Sequence, residues 1–205
     1  MRAMKMNHQA NGDLGTTGTA LCTTGDNSGF GGHSGVGYGQ RGGSSGEHLF
    51  LSTIPEGSVV LSADAAAGLI YMIEEEKMAR DLYDAFAEQT GSLVFDRISD
   101  SEQKHLDSLV LLAQKAAIDI SSASTTAGVF TNTAIQSLYD TLLAQGSVSL
   151  DAAFDVGVLV EQTDISDLQN YSADIEIGIV GTVYAHLEAG SEHHLAAFSQ
   201  QAALL

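Results

Sequence analysis

The stretch from Leu69 to Phe86, LIYMIEEEKMARDLYDAF, sets the architecture. Apolar residues recur in it at steps of three and four, which is one face of an α-helix. Leu69, Met72, Ala79, Tyr83 and Phe86 make that face, and Glu76 stands in its middle. The same spacing extends the helix over about 62–90, with Ser62 as N-cap and Gly91 as the stop. Glu74 and Glu75 fall off the stripe, where a solvated helix face is the ordinary reading of an acidic run.

Beyond this helix the same signal returns three times. A second long helix is expected over about 99–119, with Ser99 as cap and a stripe of Ile98, Glu102, His105, Leu109 and Leu112. A Ser/Thr/Gly-rich loop over 121–133 leads to a shorter helix over about 133–145 that ends at Gly146. A third long helix over about 150–170, capped by Ser149, carries Phe154, Gly157, Glu161, Asp164 and Leu168. A fourth over about 174–203 carries Val180, Tyr184, Leu187, Ser191, His194 and Phe198. The fold class is therefore all-α. Four long helices, with one long connection holding a short extra helix, give the ferritin-like four-helix bundle topology.

Residues 1–57 have a different composition. They hold 14 of the 22 Gly and carry 3 − 4 = −1 charge, while 58–205 carry 5 − 22 = −17. The run Gly25 to Gly46 is low-complexity, and ordering glycine costs much backbone entropy. It reads as a flexible or assembly-mediating segment ahead of the bundle at 58–205. HLFLSTIPEGSVVL, His48 to Leu61, reads as a short strand pair or an extended lead-in around Pro55-Glu56-Gly57.

Composition excludes several classes. A net charge of −18 opposes binding to nucleic acid or to an anionic membrane surface. One Cys rules out an internal disulfide framework and any Cys-clustered metal site. No apolar run is long enough for a membrane span. The start, MRAMKMNHQANGDLG, lacks the apolar stretch of a signal peptide. A cytoplasmic address is the default expectation, with an exported surface assembly as the alternative.

The polar residues on the core stripes carry the chemistry. Carboxylates from three helices, Glu76, Glu102, Glu161 and Asp164, converge with His105 and His194 if the stripes face one another. Burying bare carboxylates costs several kcal/mol each, roughly, unless a counter-charge is present. Two metal ions offset that cost. Oxygen-rich ligation with some imidazole suits iron, with manganese or zinc as alternatives. A lone E-x-x-H is common by chance; agreement of four helices on register and depth is the stronger sign.

EKMARDLY, Glu76 to Tyr83, resembles the first ligand helix of rubrerythrins, where a Glu precedes Ala-Arg by three residues and a Tyr by seven. EQKH, Glu102 to His105, resembles their second-helix E-x-x-H. The wider series E-E-E-K-x-A-R-D-x-Y, S-E-Q-x-H, V-E-Q-T-D-I-x-D-L and G-S-x-x-H-L-x-x-F is similar to a ferritin-like family known only as a domain of unknown function, over about residues 60–200. The resemblance implies that Glu76 is a terminal or bridging carboxylate, that Glu102 bridges and that His105 terminates one metal. It implies Glu161 and His194 as ligands of the other pair of helices, with Asp164 as a possible extra ligand. One departure stands out: Ser191 holds the place of the expected fourth-helix Glu. Either Asp164 supplies the missing oxygen, or Glu188 or Glu192 reaches in, or one metal position is weakened or empty.

Two functions follow as expectations. One is a di-iron oxidoreductase acting with dioxygen or peroxide, with Tyr83 and Tyr184 beside the ligands as hydrogen-bond donors or electron relays, or as ordinary core packing. Peroxidase rubrerythrins carry a Cys-ligated iron domain; a single Cys cannot build one, so an external reductant is required. The other is a structural subunit of a homo-oligomer or filament, joined through the N-terminal segment, with metal structural or absent. An iron-storage cage ranks below both.

Overall fold

In the computed structural model, residues 50–172 and 178–204 are described. The Gly-rich segment therefore lies outside the described residues up to 49, and so does the assembly role expected of it. So do 173–177, where the fourth long helix was expected to begin.

Ser62 accepts a hydrogen bond from the Ala65 N–H and opens α1, Ala63–Thr90. Gly91 closes it at φ 70°, a left-handed conformation that costs glycine little. The chain turns at once, and Ser92 caps α2, Leu93–Lys115, by accepting from the Val94 N–H. The cap thus lies seven residues before Ser99. Ser99 sits buried inside it with its hydroxyl donating to the Asp96 carbonyl. Phe95, fully buried, is what pulls those first residues into the helix. Asn132 caps α3, Thr133–Gly146, and Ser149 accepts from Ala152 N–H at the start of α4, Leu150–Ser172. The last helix, α5, is Ile179–Ala202.

No strand occurs among the described residues, so the strand pair expected over 48–61 is not formed there. Residues 50–52 make a helical turn that buries Leu51, and 58–62 run extended, tied by Val59 N–H to the Lys115 carbonyl at 3.0 Å. The extended lead-in holds over 58–62, and no partner strand for it occurs among the described residues.

Side-chain pairings fix the topology. Glu76 meets His105 and Arg80 meets Gln103, so α1 and α2 run antiparallel. Asp164 meets Ser191 and Gln169 meets Glu188, so α4 and α5 are antiparallel too. Tyr83 bonds Glu161 and His194 meets Ser101, which closes the four-helix bundle. The connection from α2 to α4 runs the length of the bundle, carrying α3 on its way. No helix among the described residues is long and apolar enough to cross a membrane.

The interior is split. One apolar cluster, rich in Phe, gathers Phe86, Phe95, Phe154 and Phe198, with Phe95 stacked on Phe154 at 4.9 Å. The other, rich in Leu, gathers Leu69, Leu106, Leu109, Leu168 and Leu187. Between them lies a layer of buried polar side chains.

The long connection is locked by the acidic run of α1. Glu74 is buried and accepts the backbone N–H of Thr131 and Asn132 at 2.9 and 2.7 Å. Lys77 reaches Asp81 at 2.6 Å and the Thr126 carbonyl at 2.8 Å, and lies 4.2 Å over the Phe130 ring. Asp81 also accepts from Arg80 and from the Gly128 N–H. The expected solvated face is therefore absent: Glu74 is buried because the connection folds over that side of α1, and Glu75 is buried beside it, with Asp167 of α4 bearing on its charge.

Candidate metal centre

The polar layer is built from one or two side chains of each long helix. Glu76 comes from α1, Glu102 and His105 from α2, Glu161 and Asp164 from α4, and Ser191 and His194 from α5; all are buried. Helical steps of three and four put them at the same depth, as the stripes required.

Glu102 lies at the middle. Its Oε2 is 2.8 Å from His105 Nδ1, and its Oε1 is 2.7 Å from His194 Nδ1. Glu76 Oε2 approaches His105 Nδ1 at 3.4 Å, and Glu161 Oε2 approaches His194 Nδ1 at 3.7 Å. The result is two triplets, Glu76–Glu102–His105 and Glu102–Glu161–His194, sharing one carboxylate. Glu102, His105 and His194 each offer a ligand atom within 4.8 Å of the others. The two imidazoles lie nearly parallel, 5.4 Å apart.

These approaches are close without being hydrogen bonds. Both Nδ1 atoms, Glu76 Oε1, Glu102 Oε1 and Asp164 Oδ1 are buried with no hydrogen-bond partner among the described residues. Buried polar atoms nearly always find a partner. Lone pairs directed at a common point, instead of at one another's protons, are what a cation requires.

The surroundings hold these groups in place. Tyr83 donates its hydroxyl to Glu161 Oε1 at 2.6 Å. His194 Nε2 is 3.0 Å from Ser101 Oγ, which turns Nδ1 inward. Ser191 donates to Asp164 Oδ2 at 2.6 Å. A carboxylate is thus steered toward the position the hydroxyl cannot serve. Glu188 is engaged by Gln169 at 2.6 Å, and Glu192 and His193 are exposed, so neither glutamate reaches in. Tyr184 is buried in the Leu-rich cluster with its hydroxyl unpartnered. The titratable group that bears on it is Tyr171, and the structure does not bring it to the carboxylates.

Burial penalises every charge here, and the partners decide which groups yield. Glu102 resists that penalty because His194 and His105 hold its carboxyl well below the usual carboxylate range. Burial pushes Glu76 up to about 7 against the pull of His105. Burial and the Glu102 charge push Glu161 up to about 8. Burial, Glu76 and Glu75 raise Asp164 well above its ordinary value. Burial alone would lower both imidazoles, but Glu76 and Glu102 raise His105 well above its ordinary value, and Glu102 raises His194 to about 10. Protons are the counter-charge when no cation is bound, and a cation competes with them directly.

Three positioning features were not anticipated from sequence. Ser101 orients His194, and its one signal is its place beside Glu102. Gly190 stands where a Cβ would lie 2.5 Å from His105 Nε2, so any side chain there would make that ring shift. Glycine inside an apolar helical pattern was the available sign. Glu75 is buried on the α4 side of α1.

The chain is similar to proteins of unknown activity. The uncharacterized protein MJ0754 of Methanocaldococcus jannaschii is 34% identical over 149 residues, 73% of this chain and 80% of that protein. A crystal structure of hypothetical protein MJ0754 from Methanococcus jannaschii superposes with a TM-score of 0.69 at 33% identity, covering 73% of this chain and 84% of that one. Residues 65–204, the whole of the four long helices but for the first residues of α1, match one family model, and the chain belongs to that family, the uncharacterized protein domain DUF2202.

Proposed function

We propose that Glu76, Glu102, His105, Glu161 and His194, with Asp164, hold two metal ions, iron first, and that the protein is a ferritin-like di-metal oxidoreductase acting with dioxygen or a peroxide. The observation that carries this reading is the pair of buried Glu/His triplets sharing Glu102, with both imidazole Nδ1 atoms and one oxygen each of Glu76 and Glu102 unpartnered among the described residues. Charge supports the number of ions. Glu76, Glu102, Glu161 and Asp164 sum to −4 when ionised, which two divalent cations cancel. The donor set, four carboxylates and two imidazoles, fits iron or manganese better than a soft metal. Two helix hairpins joined by an end-to-end connection support the ferritin-like, rubrerythrin-related assignment.

Such a metal pair, when bound, supplies Lewis acidity and one-electron chemistry toward dioxygen or peroxide. The chain's own residues do the rest. Tyr83 fixes one oxygen of Glu161 and leaves the other to face the centre. Its hydroxyl stays protonated, because burial and Glu161 raise it well above the ordinary value. Ser101 and Ser191 hold His194 and Asp164 in register. The Phe-rich and Leu-rich clusters exclude water on both sides of the layer. The chain holds a single Cys, too few for a Cys-ligated iron site that could donate electrons, so electrons come from an external reductant.

Metal-free protein loaded anaerobically with Fe(II), then given peroxide, tests both halves. Two irons per chain, falling below one in Glu102→Gln, with oxidation much faster than in buffer, is the expected result. Less than one ion per chain at saturating Fe(II) overturns the metal reading. Two ions without accelerated oxidation overturns the redox reading.

A further inference from the structure

The seam between α1 and α4 holds more carboxylates than the centre uses. Glu75 is 2% exposed, and its Oε2 has no hydrogen-bond partner among the described residues. Asp164 is equally enclosed; Ser191 occupies its Oδ2, while its Oδ1 is unpartnered. The charges that bear on Glu75 are Asp167 and Glu76, both acidic. Those that bear on Asp164 are Glu76, Glu75 and Glu161. The cations nearest in sequence, Lys77 and Arg80, are both committed to Asp81. Asp167 is half-buried, and its charge bears on the Tyr71 hydroxyl. Tyr71 and Glu75 are one turn apart on α1, and Asp164 and Asp167 are one turn apart on α4. The half-buried Asp167 thus acts on Glu75, and Glu75 on the buried Asp164, so the acids follow one another toward the polar layer.

A structural role does not account for this row. Carboxylates buried against one another destabilise the fold, and an amide or apolar side chain would pack there at lower cost. A positive charge passing along the row would meet an oxygen at each step, and acidic clefts with low-dielectric walls concentrate cations. We propose that Asp167 and Glu75 form a carboxylate corridor that takes a divalent metal cation from solvent and hands it to Asp164 and the other central ligands. This rests on the metal-centre reading above and adds to it the path by which the centre fills.

The test is the rate of loading in the full-length metal-free chain. Mn(II) is delivered from a weak fluorescent chelator, and its transfer is followed by stopped flow. The final Mn content is then measured. Glu75→Gln and Asp167→Asn keep shape and remove charge. Each is expected to slow transfer by about tenfold, with the final content unchanged at two ions per chain. Glu88→Gln removes the same charge at the exposed far end of α1 and is expected to load at the wild-type rate. Wild-type rates in both corridor variants would overturn the proposal, as would an equal slowing in Glu88→Gln. A lower final content in Glu75→Gln would overturn it too, by making Glu75 a ligand. A wild-type chain that ends with less than one ion instead fails the centre itself, which is a separate outcome. Asp167 is half-buried, so its variant folds even if Glu75→Gln does not.

Discussion

Glu102 is the residue on which the site turns, because it alone touches both imidazoles, at 2.8 and 2.7 Å. Its place in the buried polar layer and the places of Glu76, His105, Glu161 and His194 were legible from spacing: each interrupts an apolar stripe that otherwise packs. What spacing does not reveal is clearance. Gly190 bears no group that contacts a ligand, yet an added methyl would sit 2.5 Å from His105 Nε2. The ring would have to shift, and a shift moves Nδ1 relative to Glu102 and Glu76. Gly190→Ala is therefore expected to weaken the ion held by Glu76, Glu102 and His105 while sparing the one held by His194. Isothermal titration with Mn(II) should show two equal sites become one strong and one weak. Two sites of unchanged affinity would mean that the ring position is immaterial. Glu75 was illegible for a related reason: adjacent residues on a helix point about 100° apart, and which of three consecutive glutamates faces the core depends on what covers the helix.

The caps were the legible part of the elements. Ser62, Gly91 and Ser149 stand at helix ends because a hydroxyl oxygen serves the free N–H groups of a first turn, and glycine takes the left-handed exit. Ser92 and Ser99 both satisfy that chemistry, and Phe95 decides between them only through a tertiary contact, with Phe154 and Phe198, that no local pattern contains. The connection between α2 and α4 was legible as a loop but not as a locked one. Asp81 holds it: Lys77, Arg80 and the Gly128 N–H all converge on that carboxylate. Asp81→Ala would leave Lys77 buried without its partner and a loop N–H unserved. A loss of about 3–5 kcal/mol is expected, the range for breaking a buried pair on one side. Urea denaturation measures it. Metal content should stay at the wild-type value, since none of these groups faces the polar layer. A loss under about 1 kcal/mol, the range of a surface ion pair, would show that the lock is dispensable.

At the scale of the whole molecule the polar layer ties stability to pH, and metal reverses the slope. Consider the metal-free chain first. Burial raises Glu75 to about 8, with Asp167 and Glu76 adding to it; Glu76 and Glu161 rise to about 7 and about 8. Each starts from an unfolded value of 4.5, so the folded chain keeps protons that the unfolded chain has released. Their contribution is full below pH 4.5 and is lost as pH rises through 7–8. His194 rises from 6.5 to about 10, so its contribution is full below pH 6.5 and is lost as pH rises through 10. Glu102 runs the other way, being held below its ordinary range, but its loss falls on the acid side, beneath the window that matters. Every contribution between pH 5 and 9 therefore declines together, and the melting temperature of metal-free protein should fall across that window. About 0.5 M salt screens the surface charges and leaves the buried ones, so the fall should persist there. Metal binds the deprotonated ligands, and its stabilisation grows over the same range. The gap in melting temperature between Mn-loaded and metal-free chain should consequently widen from pH 5 to pH 9. A gap that stays constant, or a metal-free chain that gains stability on the way up, would mean that the buried acids and imidazoles do not share one centre.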